Sequence, residues 1–211
     1  MNEQRLEQYQ HIRQVAKSYV SGLVSFAKHP EADPKRIGKI LGFYHDGQMI
    51  FQSETDVSVM MDFTLAEKIY GGKSIVDLEI EANHDLDDER RTILEAYRSG
   101  YTSLFEVLGM NQKEHSISLY DLLRDDDKTI IDVNLSRTVD KARLLFFRII
   151  TFNDFSMTSG ISFVFGSNKK DVLLRRYRAE LRTRFMIDKS VTRFLIFHRL
   201  NRQLGQGIEL V

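Results

Sequence analysis

Ser103 to Phe165 reads SLFEVLGMNQKEHSISLYDLLRDDDKTIIDVNLSRTVDKARLLFFRIITFNDFSMTSGISFVF. Short apolar runs at 103–108, 117–123, 129–135, 144–152 and 155–165, rich in β-branched and aromatic residues, alternate with compact polar turns. Such a succession predicts an antiparallel meander or small barrel of about five strands. Within it, Ile117, Leu119 and Asp121 point one way, and Ser116, Ser118 and Tyr120 the other. The run 144–150 is almost continuously apolar, as expected of a central strand covered on both faces. Residues 124–128 read as a charged hairpin tip. Gly160 marks a bulge or bend.

Helical patterns flank this segment. Tyr9, Ile12, Ala16, Tyr19, Leu23 and Phe26 recur every three or four residues and predict a helix over 3–28, ended at His29-Pro30. The stripe is short for a coiled coil; it suits docking on the protein's own body, with a homodimer seam as the alternative. Residues 35–41 fit a short helix, 45–48 a turn and 49–51 a short strand. Asp56 is expected to cap a helix carrying Val57, Met60, Met61, Leu65 and Ile69, stopped by Gly71-Gly72. Residues 74–82 have helical spacing with a strand possible. Asp85 or Asp87 opens the next helix, which buries Ile93, Leu94 and Tyr97 and stops at Gly100. Two helices close the chain. The first, 172–186, buries Leu174, Tyr177, Leu181 and Phe185. The second, 190–202, carries Val191, Phe194, Leu195 and His198 as its stripe.

The fold class is therefore α+β: N-terminal helices, the five-stranded β module and two C-terminal helices. With 2 Pro and 12 Gly in 211 residues, no linker separates the parts. The expectation is one compact domain, mainly helical over 1–102, β over 103–166 and basic helical over 167–211. There is no internal repeat of solenoid period.

The chain has no cysteine, which excludes disulfides, thiolate metal sites and a cysteine nucleophile. Residues 1–13 lack the pattern of a secretory signal, and the most apolar run is too short to cross a bilayer. A cytoplasmic protein without membrane contact is expected. Formal net charge is zero, yet 54–127 holds 18 acidic and 7 basic residues, while 169–202 holds 11 basic and 3 acidic.

The familiar chemical motifs fail on spacing. Gly71-Gly72-Lys73-Ser74 resembles the end of a phosphate loop, but Glu67 occupies the position where that loop needs glycine. Asp125-Asp126-Asp127-Lys128 concentrates carboxylates that fan apart in a turn, although Asp126 and Lys128, with Asp121, fit part of a nuclease pattern. His11, His29, His45, His84, His115 and His198 are scattered singly. Ser167-Asn168-Lys169-Lys170 matches Ser-x-x-Lys without a companion motif, and Ser167 or Asn168 reads as a helix cap. No cofactor is implied.

What remains is the basic end: Arg175, Arg176, Arg178, Arg182 and Arg184 on one helix, with Lys189, Arg193, Arg199 and Arg202 extending the field. Arginine's fork matches phosphate or carboxylate bidentately. The same residues also suit a solvated face, shielding apolar neighbours with their stems.

The segments SETDVSVMMDF, GKSIVDLEI, YTSLFEVLGM, SLYDLL, IIDVNLSRT and LLFFRIITFNDFSMTSG resemble a family of uncharacterised bacterial proteins over roughly 53–160. The resemblance implies helices followed by a β module and carries no chemistry; the basic end lies outside it. The functional expectation is a non-enzymatic interaction or scaffold protein, contacting an acidic protein surface or nucleic acid through its basic helices. The alternatives are a metal-dependent nucleic-acid-processing enzyme using Asp121 and Asp126, or a structural homo-oligomer.

Overall fold

The structure is a computed structural model that describes residues 3–24, 29, 32–183 and 188–206. The chain divides into two compact units, one spanning Glu7–Ser99 and the other Gly100–Val211 with the first six residues.

The first unit is helical. In α1 (Glu3–Leu23) the stripe residues Tyr9, Ala16 and Leu23 are buried within a single chain, while Phe26 lies outside the described residues. Asp33 accepts from the Lys35 amide at 3.0 Å and opens α2 (Pro34–Leu41), which Gly42 ends at φ 75°. The turn expected at 45–48 joins β1 (Tyr44–His45) to β2 (Gln48–Met49), with Asp46 and Gly47 at φ 49° and 84°. Positive φ at both central residues matches the twist of a two-residue hairpin.

The strand expected at 49–51 is the shorter β2, and both ends of the next helix also differ from the sequence reading. The cap position of α3 (Glu54–Ala66) is Ser53, not Asp56; Asp56 sits in the first turn, where the helix dipole favours it, and accepts from the Gln52 amide at 2.8 Å. The helix also stops before Glu67. Gly71 and Gly72, both at positive φ, instead make the turn that bridges Tyr70 to Lys73. Ser74 then opens α4 (Ile75–Ala82) through a reciprocal capping box with Asp77. That box resolves the helix-or-strand ambiguity of 74–82. Asp87 accepts from the Arg90 amide at 2.8 Å ahead of α5 (Asp88–Ser99), whose Ile93, Leu94 and Tyr97 are buried as expected.

The second unit holds five strands: β3 (Tyr101–Asn111), β4 (Ser116–Asp121), β5 (Asp126–Ile131), β6 (Arg143–Thr151) and β7 (Ser156–Gly166). Four lie near the expected places; β5 instead starts at Asp126, inside the expected hairpin tip, and ends at Ile131, because the polar Asp132 leaves the strand to open the turn that follows. All neighbours pair antiparallel, in the order β5-β4-β3-β6-β7. The first three strands are a meander. The chain then returns through α6 (Leu135–Thr138), so that β6 pairs with β3 and not with β5. The sheet stays open instead of closing into a barrel, although its margins approach: Thr158 in β7 donates to Asp132, just beyond β5, at 2.9 Å. Gly160, at φ 118°, lies where the β6–β7 register shifts, the bulge the sequence suggested.

Alternation sorts the sheet residues into two apolar layers. Phe105, Val107, Leu119, Leu145, Phe147 and Val164 share one buried cluster. Phe146 and Phe163 face the other way. The turn Ser167–Lys169 leads directly into α7 (Lys170–Thr183), in place of a Ser167 or Asn168 side-chain cap. Asp188 caps α8 (Lys189–Leu204), accepting from the Ser190 amide at 2.7 Å. Phe197 of α8 stacks on Phe146 at 4.3 Å, and Tyr177 of α7 packs on Phe197 at 5.4 Å. The C-terminal helices thus cover the second face of the sheet. Among the described residues, no helix is long and apolar enough to cross a membrane.

Candidate interaction face on the C-terminal helices

α7 is built from good helix formers, with Asp171 in its first turn and Arg182 in its last, both favourable to the helix dipole. Leu173 and Tyr177, four residues apart, are buried. Leu174, expected on the buried face, is only half-buried, because the face is anchored one residue earlier. Opposite that face, Arg175, Arg178 and Arg182 are exposed. Spacings of three and four residues put them in one row, about 10 Å long at 1.5 Å rise per residue. None of the three has a hydrogen bond or ion pair with another described residue.

The remaining cations of the basic end divide differently. Arg176 donates to Gln203 Oε1 at 2.9 Å, tying α7 to the end of α8. Arg193 is half-buried and donates to the Thr102 carbonyl in β3. Arg199 pairs with Glu180. Arg202 is exposed but engaged as well. Lys189 is exposed at the start of α8. Arg184 lies outside the described residues. Lys170, which the sequence reading did not single out, pairs with Glu106 of β3 at 2.7 Å. The basic end is thus partly structural; among the described residues its open portion is the row on α7, with Lys189 apart from it at the start of α8.

Asp121 and Asp126 are register partners across β4 and β5, but Asp121, Asp125 and Asp126, weighed for metal chemistry, are each held by donors of the chain. Asp121 is fully buried: its Oδ1 accepts from the Ser103 hydroxyl and from the Leu123 and Arg124 amides at 3.0 and 3.1 Å. Asp125 accepts from the Tyr120 hydroxyl. Asp126 is exposed, and the Lys128 ammonium bonded to it holds its carboxyl below the usual carboxylate range. Among the described residues, no group of three or more histidines or carboxylates gathers as metal ligands. His29 is bonded to Glu79 at 3.2 Å and His45 to the Gly42 carbonyl at 2.9 Å. His198 is buried against Phe163 and Phe194.

The Gly71–Ser74 segment is committed elsewhere too. Lys73 pairs with Glu81 at 2.6 Å and Ser74 is consumed by the capping box. Sequence reasoning also missed Asp132. It is buried, accepts from the Asn134 and Leu135 amides at 3.1 and 3.0 Å, and so opens α6 while holding Thr158. The signal was present as an acid placed directly after an apolar strand and ahead of Asn134.

A family model described as "Family of unknown function (DUF7986)" matches residues 3–210. The chain belongs to that family. The match takes in the basic C-terminal end, which the resemblance seen in the sequence had left out. Comparison with curated proteins and with solved structures found no match.

Proposed function

We propose that the protein is a non-enzymatic interaction protein whose α7 holds an acidic protein surface. The observation that carries this reading is the unengaged row Arg175, Arg178 and Arg182, set in register on a helix whose opposite face is anchored in the core. A partner helix with carboxylates at the same three- and four-residue spacing would meet all three forks. Two features favour protein over nucleic acid. The chain as a whole has no net charge, whereas polyanion binders depend on a strong basic field. The row itself also lacks an exposed aromatic on which bases would stack.

Exposed charge pairs contribute about 0.2–1 kcal/mol each. Three of them give orientation and association rate, not tight binding. The test is fluorescence anisotropy with a glutamate-rich helical peptide and, separately, duplex DNA. Peptide binding that weakens with salt and is lost in the triple variant Arg175→Glu, Arg178→Glu, Arg182→Glu supports the reading. Equal binding by that variant, or preference for DNA, overturns it.

A further inference from the structure

The helical unit has a cleft of about 580 Å³ between α1 and α5, within the volume range of small-molecule sites. On the α1 side, His11, Gln14, Ser18 and Gly22 follow at helical spacing and share one face. Their side chains shrink along that face to nothing at Gly22, where an added Cβ would meet no atom within 4 Å. Val15 and the buried Leu23 supply the apolar part of the lining.

Arg90 supplies the charge from α5. Its guanidinium lies over the Tyr19 ring, 5.2 Å from the centroid, a stack that sets the plane of the fork. Its Nε faces Asp87 at 3.4 Å; its two terminal nitrogens have no hydrogen-bond partner among the described residues. Gln14 and Ser18 likewise have side-chain donors unengaged by described residues. The carboxylates nearby are already held. Glu89 is bonded to His11 at 2.6 Å, and the buried Glu79 to Tyr19 at 3.1 Å and to His29 at 3.2 Å. Burial, with the bond to Glu79, pushes the Tyr19 phenol up to about 12, so it remains a neutral donor to Glu79.

Donors unengaged by described residues therefore line the cleft, and Arg90, the one Lys or Arg among its described lining residues, presents an open bidentate edge. We propose that the cleft binds a small molecule through an oxyanion, a carboxylate or a phosphate. Arg90 grips that group with its terminal nitrogens while Gln14 and Ser18 donate from α1. A cationic ligand is disfavoured by the same guanidinium. The proposal is independent of the reading of α7, which lies in the other unit.

The experiment is a titration of the isotope-labelled full chain, followed by NMR, with inorganic phosphate and separately with benzoate. Saturable shifts confined to residues 11–22 and 87–91 and to the Arg90 side chain are expected. Response to phosphate alone or to benzoate alone identifies the source of the oxyanion. Arg90→Gln should weaken binding by about tenfold or more, the loss of a charge-assisted bond. Gly22→Leu should fill the cleft and block binding without lowering the melting temperature, since leucine is the better helix former and the space is open. The proposal is overturned by the absence of saturable shifts with either probe. It is equally overturned if both variants titrate like the parent, or if the shifts fall only on the α7 arginines.

Discussion

Arg199 on α8 closes an ion pair with Glu180 on α7, and that pair separates the charge used to hold the C-terminal helices together from the charge left facing outward. The two side chains are 42% and 29% exposed, so solvent screens the pair. Replacing Arg199 with Ala should lower stability by about 0.5–1 kcal/mol in urea unfolding. Arg178→Ala, in the unengaged row, should stay within about 0.5 kcal/mol of the parent. A larger loss at Arg178 than at Arg199 would mean the division of roles has been drawn in the wrong place.

Asp121 should behave as a structural acid. Three donors converge on its Oδ1 beneath the sheet, and all lose their acceptor in Asp121→Ala. Each buried donor left unpaired costs about 1–3 kcal/mol. Thermal unfolding should show a drop of several kcal/mol for Ala and a clearly smaller one for Asn, which keeps an oxygen in place. The metal-enzyme alternative demands the opposite pattern, normal stability with lost metal dependence.

Alkaline pH should loosen the sheet unit through Tyr101. Burial, then the negative charge of Asp121, raises its phenol from 10.0 to about 12. The folded value thus lies above the unfolded one. Its contribution to stability is complete below pH 10 and is lost as pH climbs towards 12. Phenolate absorbance should show a late-titrating component, diminished separately in Tyr101→Phe and Tyr19→Phe. Tyr101→Phe should also flatten the fall in stability over that interval.

Phe146 is the keystone of the layer between the sheet and its helices, stacked on Phe197 at 4.3 Å and on Phe163 at 5.7 Å. Phe146→Ala should cost about 3–5 kcal/mol. Loss of near-UV circular dichroism at a lower denaturant concentration would register it. Phe146→Leu should cost distinctly less, as a change closer in volume.

The strands were legible because a half-buried strand writes its two faces into alternate residues, as Ile117, Leu119 and Asp121 against Ser116, Ser118 and Tyr120 show. The same alternation already placed Asp121 on the inner face. The bond from Ser103 was not legible because it depends on which strand lies beside β4, whereas the two amides that follow Asp121 belong to a local turn. Strand order was illegible for that reason as well: β6 carries no local mark of pairing with β3. The helix ends at Ser53 and Ala66 shifted because a cap is a geometry, and Ser53, Asp56 and Gly71-Gly72 all offer one. On the basic end, the count of arginines could be read directly. Which were engaged could not, since Gln203, Thr102 and Glu180 are distant in sequence from the residues they hold. The cleft between α1 and α5 left no local signal at all.

The guanidinium groups of Arg175, Arg178 and Arg182 are proposed to be available to a partner, while those of Arg176, Arg193 and Arg199 are held within the chain. Arginine side-chain NMR resonances, followed while a glutamate-rich helical peptide is added at low salt, report on each group separately. The first three should shift together and saturate, with the other three nearly unchanged. Uniform movement of all six, or a silent row on α7, would contradict it.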